Sequence, residues 1–324
     1  MNVELTAIAF CNLENLFDTK RDCSTQDEEF TPNGSKAWNE DKYKEKLNNL
    51  SRVISELGQS KTINGPILLG VAEVENRTVL RDLISQKSLM NSGYSIIHYD
   101  SHDSRGIDVA LLYKSKYFKL IDSKSIPVYL IDSINGSKFT RDVLFVKGKI
   151  SGEIVYILVN HWPSRRSGIA ASKVYRNQVA RLNRMLYDSI CKIESDPAFI
   201  IMGDLNDNPT DESVRDILNA KKDFDYIKIN EFFNPFYQNY KKGEGSLAYK
   251  DSWELYDQII LSHRFIKPKS KEYGYEDHQI FHQEYMIETE GHFKNYPKRS
   301  FSGDKWINGF SDHFPTIVYL SLQP

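Results

Sequence analysis

Apolar residues along the chain follow two spacings, and each spacing predicts one kind of element. Short runs of consecutive or alternating apolar residues predict strands over 7–10, 67–71, 94–98, 108–113, 143–149, 154–160, 199–202, 256–261 and 315–320. Apolar residues three and four positions apart predict helices over 43–57, 78–85, 179–190 and 210–218. Residues 223–252 indicate a long surface loop, and residues 264–309 have only weak periodicity.

The order of these elements indicates the fold class. Strands and helices are interspersed along the chain, and no repeat or low-complexity linker divides it. We therefore predict one α/β domain over residues 1–324. The turn signal at Ser151 and Gly152 indicates a hairpin, which argues against a purely parallel sheet.

The composition supports a large core and limits how the protein could bind polyanions. The chain has 324 residues, is 40% hydrophobic and contains 17 Phe, 19 Tyr and 4 Trp. Its 42 Lys and Arg residues nearly balance 44 Asp and Glu residues, which gives a net charge of −2. If the protein binds nucleic acid, we expect it to do so through a local patch or a metal ion.

The sequence says little about compartment. Residues 1–4 carry no basic region followed by an apolar stretch, so we expect no signal peptide, which fits both a cytoplasmic protein and a trimmed secreted or periplasmic form. No apolar run approaches a membrane span, so we expect no stable membrane insertion. Cys11, Cys23 and Cys191 are odd in number and not metal-spaced, which argues against disulfides or a zinc site. We also expect a monomer without an obligate protein partner.

Polar side chains recur where the predicted strands end. They are Asn12, Glu14, Glu73, Asn160, His161, Asp204, Asn206, Asp257, Asp312 and His313. Each alone is more often structural than catalytic, but strand ends at one sheet edge lie close together, so the recurrence predicts an active site. Carboxylates and amides suit Mg²⁺ or Mn²⁺, and the sequence lacks zinc motifs and phosphate-binding glycine loops. The chemistry that this pattern favours is metal-assisted phosphoryl hydrolysis.

Six segments carry a resemblance to a known family. They are residues 10–16, 71–73, 160–163, 203–206, 256–259 and 311–315. In this order they resemble the motifs of the endonuclease/exonuclease/phosphatase superfamily, which has the deoxyribonuclease I-like fold. The resemblance implies a four-layer α/β/β/α sandwich, in which two mixed β-sheets pack face to face with helices outside. It also implies a divalent-metal phosphodiesterase or phosphomonoesterase.

The resemblance also implies which residues would bind the metal and the attacking water. Glu73 would be the principal metal ligand, and three further residues would lie beside it or complete the site, namely Asn12, Glu14 and Asp312. Asp204 would orient or deprotonate the attacking water. Asn206 would hold water or phosphate.

The resemblance further implies roles for two histidines. His313, paired with Asp257, would contact the scissile phosphate, either as a base or as an electrostatic clamp. His161 would protonate the leaving oxygen. In the deoxyribonuclease branch an acid orients this second histidine, and Asp108 lies near the expected place. The abasic-site branch has a tyrosine where this chain has His161, which argues against apurinic repair.

Basic residues close to these motifs are candidates for binding the substrate. Arg165 and Arg166 follow His161, and Arg105 precedes Asp108. Because an arginine can bind phosphate with two hydrogen bonds, these residues could reach phosphates that flank the cleaved one. We therefore expect a nuclease, most simply an endonuclease acting on DNA or RNA.

Two other functions stay open at this point. A phosphatase or phosphodiesterase could act on a small or lipid phosphate ester, of the inositol-phosphate or sphingomyelin type. The aromatic segment 232–237 could then enter a membrane, although such segments more often pack onto the domain. A non-catalytic adaptor on the same fold is the second alternative, and the presence of every motif residue argues against it.

Overall fold

The structure, a computed structural model, describes residues 4–132 and 136–324. Within these residues the strands are β1 (Leu5–Leu16), β2 (Pro66–Val74), β3 (Tyr94–His98), β4 (Asp108–Lys114), β5 (Phe118–Leu130), β6 (Lys138–Ile150), β7 (Glu153–His161), β8 (Ala198–Asp204), β9 (Ala220–Lys221), β10 (Phe232–Phe233), β11 (Leu247–Tyr249), β12 (Ser252–Glu254), β13 (Asp257–Ser262), β14 (Tyr273–Ile280), β15 (Phe301–Ser302), β16 (Lys305–Trp306) and β17 (Thr316–Leu322). The α-helices are α1 (Glu40–Glu56), α2 (Arg77–Ile84), α3 (Ile169–Cys191) and α4 (Tyr237–Lys241). Short 3₁₀ turns cover Glu28–Phe30, Arg165–Ser167, Phe224–Tyr226, His263–Phe265 and Glu284–Met286.

The longer strands form two mixed sheets. The first has the order β14-β17-β1-β2-β4-β3, and the second has the order β5-β6-β7-β8-β13-β10-β9. In the first sheet β1 is parallel to β2 and antiparallel to β17, and in the second β7 is parallel to β8. Each parallel pair needs a crossover connection, which α1 provides between β1 and β2 and α3 between β7 and β8.

Three apolar layers join the sheets and helices into a four-layer sandwich. Alternate residues of β1 show how this works, because Ile8 and Phe10 pack between the two sheets while Ala7 and Ala9 pack beneath α1 and α2. A third layer joins α3 to the second sheet, through residues such as Tyr187. The predicted α/β/β/α architecture is confirmed. None of the helices in the described ranges combines the length and hydropathy of a membrane span.

Two of the longer strands escaped the sequence pattern because they lie at sheet edges. β5 and β14 are the outermost strands of their sheets, and most of their residues are partly or fully exposed. An edge strand with one or both faces in water does not need apolar alternation, so its sequence resembles a loop. The helix predicted over 210–218 is also wrong, because only a single π-helical turn forms, at Ser213–Ile217.

The aromatic segment 232–237 packs into the domain. Phe232, Phe233 and Phe236 are 0%, 6% and 0% exposed. Phe233 and Phe236 join the layer between the sheets, while Phe232 joins the layer beneath α3. Burial of side chains of this size stabilises the fold by about 1.5–3 kcal/mol each. This segment is therefore part of the core and does not provide a membrane-entering loop.

Candidate active site

Three predicted site residues lie side by side across the second sheet. His161 at the end of β7 is the register partner of Asp204 at the end of β8, and Asp204 is also the register partner of Asp257 at the start of β13. Directly paired residues present their side chains on the same face of a sheet, so the three form a row. The residue before Asp204 has to be glycine, since a Cβ at Gly203 would lie 2.2 Å from the Asn160 carbonyl oxygen.

The acidic residues of the first sheet at this edge lie in irregular backbone. In the pairing of β2 with β4, Ala72 and Val74 have partners and Glu73 has none, which makes Glu73 a bulge residue. Its φ is +62°, and Glu14 and Asn15 at the end of β1 have φ of +48° and +53°. A bulge re-aims a side chain, and positive φ in glutamate costs on the order of 1 kcal/mol or more. The fold thus stores strain where the Glu73 carboxylate is directed towards the site.

Contacts between the two sheets bring the predicted residues together in pairs. Asn12 Nδ2 donates to Asp204 Oδ2 at 3.1 Å. His313 Nδ1 lies 2.6 Å from Asp257 Oδ2, and His161 Nε2 lies 3.8 Å from Glu73 Oε1 and 3.7 Å from Asp204 Oδ2. Each pair takes one member from each sheet or its adjoining loop, except His161 with Asp204. The site is therefore assembled at one shared edge of the sandwich.

His313 is surrounded by carboxylates. Its backbone N–H donates to Ser311 Oγ, and Ser311 Oγ donates to the Asn12 carbonyl oxygen, which fixes the loop before β17 onto β1. Burial alone would lower the pKa of His313, but the charges of Asp257, Asp312 and Asp204 outweigh it and raise that pKa well above its usual range. His313 is therefore an imidazolium at neutral pH, with Nδ1 bound to Asp257 and Nε2 directed away from that carboxylate.

His161 has the opposite surroundings. It is 4% exposed, and its Nδ1 has no hydrogen-bond partner among the residues that the structure describes. Burial, together with the positive charges of Arg141, Arg105 and His313, holds the pKa of His161 well below its usual range. This histidine is therefore neutral at physiological pH.

Asp204 lies at the centre of the site. Its Oδ2 accepts from Asn12 Nδ2, and its Oδ1 accepts from the backbone N–H of Asn206 at 2.9 Å. Burial raises the pKa of Asp204 to about 7, with the charge of His313 opposing this shift and that of Asp257 adding to it. Asn206 has a φ of +48° and donates from Nδ2 to the carbonyl oxygen of Trp162, so its side chain braces the loop after β7.

Glu73 and Asp312 each have carboxylate oxygens that could bind a hard divalent cation. Glu73 Oε2 accepts from the backbone N–H of Asn15 at 2.8 Å, whereas Oε1 accepts no hydrogen bond within the described part of the chain. The Asp312 side chain is 35% exposed, and its Oδ1 lies 4.0 Å from His313 Nε2. Carboxylate oxygens that are free of hydrogen bonds suit Mg²⁺ or Mn²⁺. Asn12 Oδ1 is already an acceptor, because it binds the backbone N–H of Glu14 at 2.9 Å.

The Glu14 carboxylate has a buried lysine beside it. Its Oε2 accepts from the Ser300 backbone N–H at 2.7 Å and lies 3.7 Å from Lys46 Nζ, a residue of α1 that the sequence pattern did not single out. Only Oε1 is therefore available to a metal ion, and ligation by Glu14 stays a prediction.

Asp108 is not beside His161. Its Oδ2 lies 3.1 Å from His98 Nε2, and its Oδ1 accepts from the Ser101 backbone N–H at 2.9 Å. The expectation that Asp108 orients His161 is therefore wrong. The cause is register, because β3 pairs with β4 and brings His98 next to the start of β4, where Asp108 lies.

The three candidate arginines have different environments. Arg165 Nε donates to the Asn206 carbonyl oxygen, and its Nη2 donates to Asp207 and Asp211 at 2.9 and 2.5 Å, so it braces a loop and is not a free phosphate ligand. Arg105 is half-buried and donates from Nη2 to Asn15 Oδ1 at 2.6 Å. Arg166 is exposed and has no hydrogen-bonding or ion-pair partner in the described ranges.

Two buried charged residues close to predicted site residues were missed by sequence reasoning. Arg141 is 8% exposed, pairs with Asp103 at 3.2 Å and donates to the Trp162 carbonyl oxygen at 2.7 Å. Lys46 is 1% exposed on the buried face of α1. Both are charged residues next to or within apolar patterns, and that misfit was the available signal.

Comparisons with known proteins identify the family and the fold. The sequence model described as the Endonuclease/Exonuclease/phosphatase family matches residues 7–322. A search of curated proteins found no match. Among solved structures, the endonuclease/exonuclease/phosphatase from Bacteroides vulgatus is 14% identical, with a TM-score of 0.56 and coverage of 98% of this chain and 99% of that one.

Two further structures share the fold at similar distance. D. rerio TDP2 complexed with single strand DNA product is 13% identical, with a TM-score of 0.56 over 98% of this chain and 99% of that one. The human Nocturnin catalytic domain with bound sulfate anion is 14% identical, with a TM-score of 0.53 over 100% of this chain and 97% of that one. At such identities the likeness establishes the fold alone, whereas the family match spans nearly the whole chain. The chain therefore belongs to the endonuclease/exonuclease/phosphatase family, whose members are divalent-metal-dependent hydrolases of phosphate esters.

Proposed function

We propose that this protein is an endonuclease that hydrolyses phosphodiester bonds of DNA or RNA with Mg²⁺ or Mn²⁺. The observation that carries the proposal is the row of His161, Asp204 and Asp257 on one sheet, facing Glu73 and His313 on the other. The reaction joins a water oxygen to phosphorus and breaks the bond from phosphorus to the leaving oxygen. One proton must leave the water and one must reach the leaving oxygen.

Asp204 is the residue best suited to accept the proton of the attacking water. Its carboxylate is held by Asn12 and by the Asn206 backbone, so it is oriented before substrate arrives. Burial raises its pKa to about 7, which is close to the pH at which a general base is most effective.

His313 is suited to binding the phosphate as a cation. Its Nδ1 is bound to Asp257, so only Nε2–H is free to donate to a phosphate oxygen. An imidazolium that is already paired and oriented stabilises the added negative charge of the transition state without rearranging. The sequence left two roles open for His313, a general base and an electrostatic clamp on the phosphate. Its charge favours the clamp.

His161 is better suited to hydrogen bonding than to proton donation. A neutral imidazole is a weak acid, and no carboxylate binds His161 Nδ1 within the described residues. We therefore assign to Nε2 the positioning of water or a phosphate oxygen near Glu73 and Asp204. The proton for the leaving oxygen would then come from solvent.

Glu73 and Asp312 are the residues that would hold the metal ion. A bound divalent cation would supply Lewis-acid stabilisation of the phosphate charge. Asn12 would support this pair by fixing Asp204 and the backbone of Glu14.

Arg166 and Arg105 support a polynucleotide substrate. Their charges act on His161, so they lie near the site, and Arg166 is exposed and free to bind a flanking phosphate. The D. rerio relative complexed with single strand DNA product provides a precedent for nucleic acid on this fold. The alternative, a compact phosphate ester, is favoured by one observation, which is that the loop carboxylates already occupy Arg165.

A side-by-side assay tests this proposal. Wild type and Asp204→Asn would be given DNA, RNA, sphingomyelin and a small chromogenic phosphodiester, with Mg²⁺ or Mn²⁺ and with chelator. We expect turnover of a nucleic acid by wild type, loss of that turnover in chelator, and a fall of about two to four orders of magnitude in the variant. Efficient turnover of a compact ester, with none of DNA or RNA, would contradict the nuclease assignment.

A further inference from the structure

A cavity of about 560 Å³ lies at the end of β2 that is far from the candidate active site. Its walls come from the last turn of α1, the loop before β2, the loop between α2 and β3, and the turn between β4 and β5. Pro66, the first residue of β2, lines the cavity, whereas Glu73 lies seven residues further along that strand. At a rise of about 3.3 Å per residue the two are about 23 Å apart. The cavity is therefore separate from the catalytic residues.

The charged side chains that line this cavity are all positive. Among the described residues they are Lys87, Lys114 and Lys116, and no aspartate or glutamate lines the same walls. None of the three lysines forms an ion pair with a carboxylate in the part of the chain that the structure describes. On a chain whose net charge is −2, the cavity is thus a local concentration of positive charge, which attracts anions.

Lys114 is buried without a compensating negative charge. It is the last residue of β4 and is 9% exposed. Its Nζ donates to the Asn64 carbonyl oxygen and lies 4.9 Å from the centre of the ring of Tyr94, its register partner on β3. Burial lowers the pKa of Lys114, and no neighbouring carboxylate opposes that shift. Because a carbonyl oxygen and a ring face compensate an ammonium less fully than an anion does, Lys114 favours an anionic ligand.

The turn that follows Lys114 adds further hydrogen-bond donors. The backbone N–H of Tyr117 donates to the Lys114 carbonyl oxygen at 2.9 Å, which closes the turn. Ser115 and Lys116 at its centre line the cavity, and their backbone N–H groups have no partner within the described ranges. Successive free N–H groups in a turn are typical of anion sites. Ammonium and amide donors therefore share one wall of the cavity.

The other walls fit the organic part of a ligand. Tyr94 and Tyr117 are half-buried and line the cavity, together with the apolar residues Leu89 and Pro66. The Tyr94 hydroxyl donates to the Pro66 carbonyl oxygen at 2.8 Å, so that ring is held in place. Tyrosine faces stack well on flat rings, and the volume lies within the range of about 300–1,000 Å³ typical of small-molecule sites. An inorganic anion alone would leave most of this space unused.

We propose that this cavity is a second binding site, which takes an organic phosphate of the size of a mononucleotide. The phosphate would accept hydrogen bonds from Lys114 and the turn after β4, and the ring of the ligand would lie against the tyrosines. The proposal does not depend on which phosphate ester the active site hydrolyses.

The test measures binding to the full chain by calorimetry, in chelator so that no turnover occurs. The ligands are adenosine 5′-monophosphate, adenosine and inorganic phosphate. We expect one nucleotide per chain, bound at least about tenfold more tightly than either fragment, because charge-assisted hydrogen bonds and ring contacts both contribute. Lys114→Met should weaken nucleotide binding by about tenfold or more. Lys119→Met, which changes an exposed lysine of β5 outside the cavity, should leave it unchanged.

Nuclear magnetic resonance then locates the bound nucleotide. With ¹⁵N-labelled protein we expect it to shift the amide signals of Ser115 and Lys116 and to leave those of Asp204 and His313 in place. Shifts confined to Asp204 and His313 would overturn the proposal, as would no nucleotide binding or equal affinity for inorganic phosphate. If Lys114→Met does not fold, the exposed pair Lys87→Ala with Lys116→Ala decides, since an affinity equal to that of wild type would also overturn it. Failure of the protein to cleave DNA or RNA would leave each of these outcomes readable.

Discussion

His161 at the end of β7 and His313 in the loop before β17 lie at the same edge of the sandwich and differ in nearly every other respect. His313 has its Nδ1 2.6 Å from Asp257 and is surrounded by three carboxylates, which raise its pKa. His161 has a buried and unpartnered Nδ1 and lies near three arginines, which act with burial to lower its pKa. The comparison teaches that neighbouring charge, and not residue type, separates a cationic phosphate clamp from a neutral positioning group.

The largest effect is expected from removing the cationic histidine. His313→Ala should lower kcat by about three orders of magnitude, because it deletes the oriented donor to the phosphate. Steady-state kinetics on the preferred substrate measures this. The matched control is His263→Ala, which breaks a similar histidine–aspartate pair, with Asp196 at 2.8 Å, just beyond the far end of β13. Equal losses in both variants would show a structural and not a catalytic effect.

Asp257→Asn should be the next most severe change. The charge of Asp257 raises the pKa of His313, so its removal lowers that pKa and the histidine loses its proton at lower pH. We expect the alkaline limb of the pH–activity profile to move to lower pH, with a loss at neutral pH of about two orders of magnitude. Asp196→Asn provides the control. An unchanged profile would mean that Asp257 does not maintain the charge of His313.

His161→Ala should cost less, about one order of magnitude in kcat, since a neutral group loses only hydrogen bonding. His161→Asn keeps a donor and an acceptor and should recover part of that loss. Both variants would be compared with His313→Ala in a double-mutant cycle, and we expect less than additive losses because both residues act at one phosphate. A larger loss from His161→Ala than from His313→Ala would reverse the comparison.

The smallest effects are expected at the arginines beside His161. Arg166→Ala should raise KM for a polynucleotide a few-fold and reduce the slope of log affinity against log salt by about 1, without changing turnover of a small diester.

Arg165→Ala should instead lower the free energy of unfolding by about 1–3 kcal/mol, because Asp207 and Asp211 lose their partner. Salt titrations and thermal melts distinguish the two residues. Equal salt slopes in wild type and Arg166→Ala would remove Arg166 from the interface.

The sequence predicted the parts of this site that local pattern determines. Polar residues next to the ends of apolar strands predicted Asp204, Asp257 and His313, because a strand end is recognisable from its own neighbours. The resemblance added the four-layer order of the sheets. Contacts that depend on register between distant segments could not be predicted in this way.

Three contacts illustrate that limit. Asp108 pairs with His98 because β3 lies beside β4, and Glu14 turns towards Lys46 because α1 packs beneath β1. Arg165 is bound by Asp207 and Asp211 of the loop after β8. In each case a charged partner that is distant in the sequence decides where the side chain points, and no local pattern carries that information.

The central claim, that the two histidines have opposite charge states, is tested most directly by nuclear magnetic resonance of the metal-free protein with ¹⁵N-labelled histidine. His161→Gln and His313→Gln would assign the signals, which would be followed with pH. We predict that His313 keeps both ring protons well above the usual histidine pKa of about 6.5, and that His161 stays neutral well below it. Titration of both histidines near that usual value, or a neutral His313 beside a charged His161 at neutral pH, would contradict the account.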